Sequence, residues 1–81
     1  MQHQIALYFT PYCGTCESAM DFLEDHGIRY ERRDVLAHPE YMTDLMYHHR
    51  SVHGTPVLVI DAQEIHQGFD PRAWALALGL E

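Results

Sequence analysis

The sequence predicts an α/β fold of order β-α-β-α-β-β-α, one mixed sheet of four strands with three helices packed on it. Three observations carry that prediction. Two short unbroken apolar runs, Ile5-Ala6-Leu7-Tyr8-Phe9 and Val57-Leu58-Val59-Ile60, read as buried strands. Apolar residues recur at helical spacing between these runs and again near the end of the chain. Asp61-Ala62-Gln63 then turns the chain so that Glu64 to Gln67 returns on the second run as a hairpin.

The first strand ends at Thr10-Pro11. From Cys16 the period changes: Cys16, Ala19, Met20 and Leu23 share one helical face, and Glu17, Asp21, Glu24 and Asp25 take most of the other. His26-Gly27 closes this helix, because glycine readily adopts the left-handed conformation at a helix end. Ile28 to Leu36 alternates loosely and reads as a second strand, charged and exposed around Arg32 and Arg33. A second helix begins near Pro39 and reaches about His49, with Met42, Leu45, Met46 and His49 facing inward. Ser51 to Thr55 forms a loop closed by Pro56. Asp70 caps the last helix, Pro71 takes its first position, and Trp74, Ala77 and Leu78 form its core side. The first two strands are joined through a helix, so they should run parallel with a right-handed crossover.

A chain of 81 residues suits a single domain, residues 1–81, and its 47% apolar content is ordinary for a globular protein. Twelve acidic residues face five arginines and no lysine, for a net charge of −7. That balance argues against nucleic acid and against docking on anionic membranes. The start of the chain lacks the basic segment and long apolar core of a secretory signal, and no run is long enough to span a membrane. A cytoplasmic location is expected, where two close cysteines are more often catalytic or metal-binding than structural.

The only two cysteines form Cys13-Gly14-Thr15-Cys16, directly after the first strand and at the start of the first helix. Thiol–disulfide exchange needs one exposed thiolate and one nearby thiol to resolve the mixed disulfide. Helix phase places Cys13 at the helix start, facing solvent and the orphan N–H groups of the first turn. It places Cys16 one turn in, on the apolar face. Cys13 is therefore read as the attacking nucleophile and Cys16 as the resolving thiol. Gly14 keeps the turn flexible, and Thr15 offers a hydroxyl to a nearby sulfur. Other readings compete. Zinc takes four ligands and the pair supplies two. His48, His49 and His53 have spacing suited to a weak metal site, although surface positions suit them better, and no metal is expected. A structural disulfide closing so short a loop would gain little.

Residues beyond the cysteine pair extend the pattern: Tyr8 to Cys16, Phe22 to Ile28, Tyr30-Glu31, Asp34-Val35, Gly54-Thr55-Pro56-Val57 and Gly68-Phe69-Asp70. In these segments the chain resembles a glutaredoxin-like member of the thioredoxin superfamily, over nearly its whole length. The resemblance implies a thioredoxin fold of glutaredoxin type. It also implies a cis Thr55–Pro56 bond against the thiols, with the Thr55 backbone free to pair with an extended substrate. Tyr12, Thr55, Pro56, Gly68, Phe69 and Asp70 are the substrate-binding positions it suggests around Cys13 and Cys16.

Two departures bear on the electron donor. Where glutaredoxins usually carry a lysine that helps hold glutathione, this chain has Thr10. Where they carry a cysteine before the aspartate, it has Phe69, and Gly68-Phe69 is similar to the NrdH-redoxins, which thioredoxin reductase reduces. The resemblance thus implies a dithiol oxidoreductase that reduces protein or low-molecular-weight disulfides. Its donor is glutathione or thioredoxin reductase; it binds no cofactor tightly, and a monomer is expected. The alternative is a [2Fe–2S] cluster-binding or carrier glutaredoxin, which Gly14 would permit and which Cys16 and the missing lysine do not favour.

Overall fold

The computed structural model describes residues 3–80. The element order is β1 (Ile5–Phe9), α1 (Gly14–Asp25), β2 (Glu31–Asp34), α2 (Glu40–His48), β3 (Val57–Ile60), β4 (Glu64–Gln67) and α3 (Pro71–Ala77). The strands form one sheet in the order β2-β1-β3-β4. β1 runs parallel to β2 and antiparallel to β3, and β3 pairs antiparallel with β4. This is the predicted thioredoxin fold of glutaredoxin type.

Strand alternation divides the core between the two faces of the sheet. Ile5 pairs with Ile60 and Leu7 with Leu58 on one face. Against them pack Ala19 and Leu23 of α1 and Trp74 of α3. Tyr8 pairs with Val57 on the other face, where Leu45 of α2 and Val52 complete a second cluster. Because both faces of β1 and β3 are covered, those strands are apolar throughout rather than alternating.

The ends of α1 and α3 close in the same way. Beyond α1, Gly27 at φ +67° donates its N–H to the Glu24 carbonyl, and Ile28 donates to Leu23. Beyond α3, Gly79 donates to Leu76 and Leu80 to Ala75. Each is a Schellman closure, with an apolar residue following the glycine. At the start of α3 the Asp70 carboxylate accepts from the N–H groups of Arg72 and Ala73, as the sequence predicts.

Three expectations need correction. β2 spans Glu31–Asp34, not Ile28 to Leu36. Ile28 is consumed by the closure of α1, and Asp34 turns the chain by accepting from the N–H groups of Leu36 and Ala37. Arg33 is half-buried rather than exposed, with its guanidinium over the rings of Tyr8 and Tyr41. Met46 points outward and is 43% exposed. The inner face of α2 is Tyr41, Met42 and Leu45, at spacings of four and three residues that place them in one stripe. Among the described residues no helix is long and apolar enough to cross a membrane.

A dithiol site at the start of the first helix

The chain leaves β1 at Phe9 and reaches α1 through Thr10-Pro11-Tyr12-Cys13. Cys13 occupies the N-cap position, with extended backbone at φ −111° and ψ 113°. Ordinarily the oxygen of Ser, Thr, Asp or Asn accepts the free N–H there. Here the sulfur does so: Cys13 Sγ accepts from the Cys16 N–H at 3.2 Å. The Thr15 hydroxyl lies 3.3 Å from the same sulfur, as the sequence reading anticipated. A cap acceptor at a helix N-terminus is better as an anion, so the helix itself favours the Cys13 thiolate.

The two thiols are pushed in opposite directions. Partial burial raises the Cys13 pKa, but the Cys16 thiol, the Thr15 hydroxyl, the Cys16 N–H and the Thr10 hydroxyl outweigh it and leave the thiol below its ordinary value. Cys16 is wholly buried on the inner face of α1. That burial raises its pKa, and the hydrogen bond with Cys13 and the Cys13 charge raise it further, against the Thr10 backbone and the Thr55 hydroxyl. Both cysteines are free thiols. The site therefore holds one accessible, acidified sulfur and one sequestered, neutral sulfur a single helical turn away.

Thr55–Pro56 is a cis peptide bond. Pro56 is buried, and the Thr55 hydroxyl lies 3.4 Å from that of Thr10, joining the loop before β3 to the loop before α1. Gly68 donates its N–H to the Pro56 carbonyl at 2.8 Å, which places the end of β4 beside the proline. Phe69 packs edge-on against Phe22 and Trp74, at ring centroid distances of 5.6 and 4.9 Å. Its ring is thus engaged with the core as well as half-exposed. One carboxylate oxygen of Asp70 is taken up in capping α3. Tyr12, next to Cys13, is fully exposed and carries a left-handed φ of 61°. That conformation costs a non-glycine residue about 1–2 kcal/mol, the kind of local strain that gathers at functional sites.

Two contributors were not assigned a role in the sequence reading. Thr10 matters there only as the place of a missing lysine, yet its hydroxyl serves Cys13 and meets Thr55. Gln67 sends its side chain to the loop before Pro56. Nothing in sequence spacing points to the Thr10–Thr55 or Gln67–His53 contacts, since each joins residues many positions apart. Among the described residues no group of three or more His, Cys, Asp or Glu side chains is placed to hold a metal ion, so His48, His49 and His53 form no such cluster.

A capping cysteine sulfur backed by a buried thiol, beside a cis-proline loop on a four-stranded mixed sheet, defines a thiol–disulfide oxidoreductase of thioredoxin fold. The glutaredoxin family model matches residues 5–65, three quarters of the chain, and the chain belongs to the glutaredoxin family. Among solved structures it is similar to a point mutant of the thioredoxin-like protein BC3987, at 29% identity and a TM-score of 0.87, covering 96% of this chain and 97% of that one. It is also similar to the glutaredoxin-like protein NrdH-redoxin from Escherichia coli, at 23% identity and a TM-score of 0.75, covering 86% and 88%. A glutaredoxin from Methanosarcina mazei Go1 superposes with a TM-score of 0.80 at 18% identity, covering 94% and 78%. Among curated proteins none matches the sequence.

Proposed function

We propose that this protein reduces disulfides by a two-cysteine exchange, with Cys13 attacking and Cys16 resolving. The observation that carries this reading is the capping geometry, in which Cys13 Sγ accepts from the Cys16 N–H at 3.2 Å and Cys16 is wholly buried. The Cys13 thiolate attacks one sulfur of the substrate disulfide. The substrate S–S bond breaks, a Cys13–substrate disulfide forms, and the first substrate thiolate departs and is protonated. Cys13 is now uncharged, so the two influences by which it raises the Cys16 pKa lapse together. Cys16 then loses its proton and attacks the Cys13 sulfur. The second substrate thiol is released and a Cys13–Cys16 disulfide remains, two electrons having passed to the substrate.

The donor that restores the dithiol is best supported as a protein reductase of the thioredoxin reductase type. Glutathione carries two carboxylates and a net negative charge. In this chain Thr10 stands where the family lysine would meet one of them, and the exposed first turn of α1 beside the site carries Glu17. A chain of net charge −7 without lysine is a poor electrostatic match for that tripeptide.

An NADPH-coupled assay on one disulfide substrate separates the donors. One arm holds glutathione with glutathione reductase, the other thioredoxin reductase alone. NADPH consumption in the second arm is expected; consumption only in the first would overturn the donor assignment. In either arm Cys13→Ser should abolish turnover, and Cys16→Ser should trap a mixed disulfide visible by mass spectrometry. Full activity of the Cys13→Ser variant would sink the exchange scheme itself.

A further inference from the structure

Gln67 is the last residue of β4 and stands opposite Val57 in the sheet. Its side chain turns toward the loop that precedes Pro56. Oε1 accepts from the His53 N–H at 2.9 Å, and Nε2 donates to the Gly54 carbonyl at a longer 3.4 Å. The orientation of the amide follows from its partners, because the reverse would aim an N–H at the His53 N–H. On the far side of Thr55, the Pro56 carbonyl is held by the Gly68 N–H at 2.8 Å. The end of β4 thus grips the backbone on both sides of Thr55. Between the grips, the Thr55 N–H and C=O make no hydrogen bond among the described residues. Thr55 is half-exposed, and its hydroxyl faces Thr10 and Cys16. Gly54, at φ +88°, has a backbone with wide conformational freedom unless something holds it.

We propose that Gln67 is a positioning residue that holds residues 53–55 so that the Thr55 N–H and C=O meet the backbone of an extended peptide segment flanking the substrate disulfide. The inference rests on the exchange reading above and on the pairing of the Thr55 backbone with an extended substrate that the family resemblance implies; what it adds is the part of Gln67 in holding that loop. A free donor and acceptor on one residue are what an added strand needs, and their value depends on the loop being already in place. A disulfide without a peptide backbone gains nothing from the arrangement.

The test uses pre-reduced full-length protein in single turnover, so that no reductase takes part. One substrate is an extended peptide carrying a disulfide; the other is bis(2-hydroxyethyl) disulfide, which has no backbone. Gln67→Ala should slow reaction with the peptide about tenfold at subsaturating concentration, equivalent to about 1.4 kcal/mol, and leave the small disulfide unchanged. Gln67→Glu should behave like Gln67→Ala, because it keeps an acceptor for His53 but sets a carboxylate oxygen against the Gly54 carbonyl. The pH profile of Cys13 alkylation should be the same in all three proteins. Equal slowing on both substrates, or no slowing on the peptide, would overturn the proposal. Undiminished reaction of a Cys13→Ser variant with both substrates would instead overturn the exchange reading on which it rests.

Discussion

Replacing Thr15 by valine should raise the pKa of Cys13, because it removes one of the hydrogen bonds that lower it. The Thr15 hydroxyl lies 3.3 Å from Cys13 Sγ and can only stabilise the thiolate by donating to it. A hydrogen bond to a charged group is worth about 1.5–3 kcal/mol in net terms. This one is exposed to water, which competes for both partners, so about 1 kcal/mol is the better figure. Losing about 1 kcal/mol of thiolate stabilisation makes the thiolate about fivefold scarcer at a pH where the thiol form dominates. Valine matches threonine in shape and branching, and Thr15 is exposed, so the helix should stand. The assay is the pH dependence of Cys13 alkylation by iodoacetamide, read on the Cys13 peptide by mass spectrometry. The inflection is the quantity to compare rather than the plateau, because a more basic thiolate is also intrinsically more reactive. An inflection unchanged in Thr15→Val would refute the account of how Cys13 is acidified.

Trp74 is wholly buried, packs on Phe22 and Phe69, and donates from Nε1 to the Gly68 carbonyl at 3.2 Å. Trp74→Ala should lose about 3–5 kcal/mol, much of the stability of so small a protein, whereas Trp74→Phe should lose less and leave that carbonyl without its donor. Urea unfolding followed by far-ultraviolet circular dichroism checks both, since the only tryptophan is the residue removed. Asp70→Ala should lower stability by about 1 kcal/mol, or about 4–8 °C in Tm, through the missing cap of α3. Its Cys13 alkylation profile should stay where it is, and a shifted inflection would place Asp70 in the thiol chemistry instead. Burial, with the hydrogen bond to Glu24 added, pushes Tyr30 up to about 12. Because the folded protein favours the neutral phenol, this contribution is intact below about pH 10 and is lost as pH rises through about 12. Ultraviolet titration should show a phenol ionising at about 12 that is absent in Tyr30→Phe; a titration curve unchanged in that range by Tyr30→Phe would contradict it.

Much of this protein could be read from local sequence because the forces involved are local. Apolar runs as dense as Ile5–Phe9 and Val57–Ile60 bury both faces wherever they pair. Gly27 and Asp70 end and start helices by hydrogen bonds to residues at most four positions away. The different fates of Cys13 and Cys16 follow from helix phase alone: three residues carry the chain from the cap to the inner face. Where the sequence misled, a tertiary or turn contact outweighed the pattern. Met46 fits the apolar stripe of α2 by spacing, yet Tyr41 takes the place against Tyr8 and Arg33. β2 is short because Ile28 and Asp34 have prior hydrogen-bond duties at the ends of neighbouring elements.

The sequence by itself determined a cysteine pair at a strand-to-helix junction of a four-stranded mixed sheet, because apolar runs and helix phase are local, and its family resemblance implied the glutaredoxin type. Only the tertiary structure decided how the thiols are tuned and what faces them. Thr10 meets Thr55 across 45 residues, and Gln67 reaches back across 14 to hold His53. Such contacts depend on the sheet order β2-β1-β3-β4, which brings the starts of α1 and β3 and the end of β4 to one end of the sheet. Hydrogen bonds between residues so far apart leave no period or spacing in the chain, and these are the ones that shape the surface a substrate would meet.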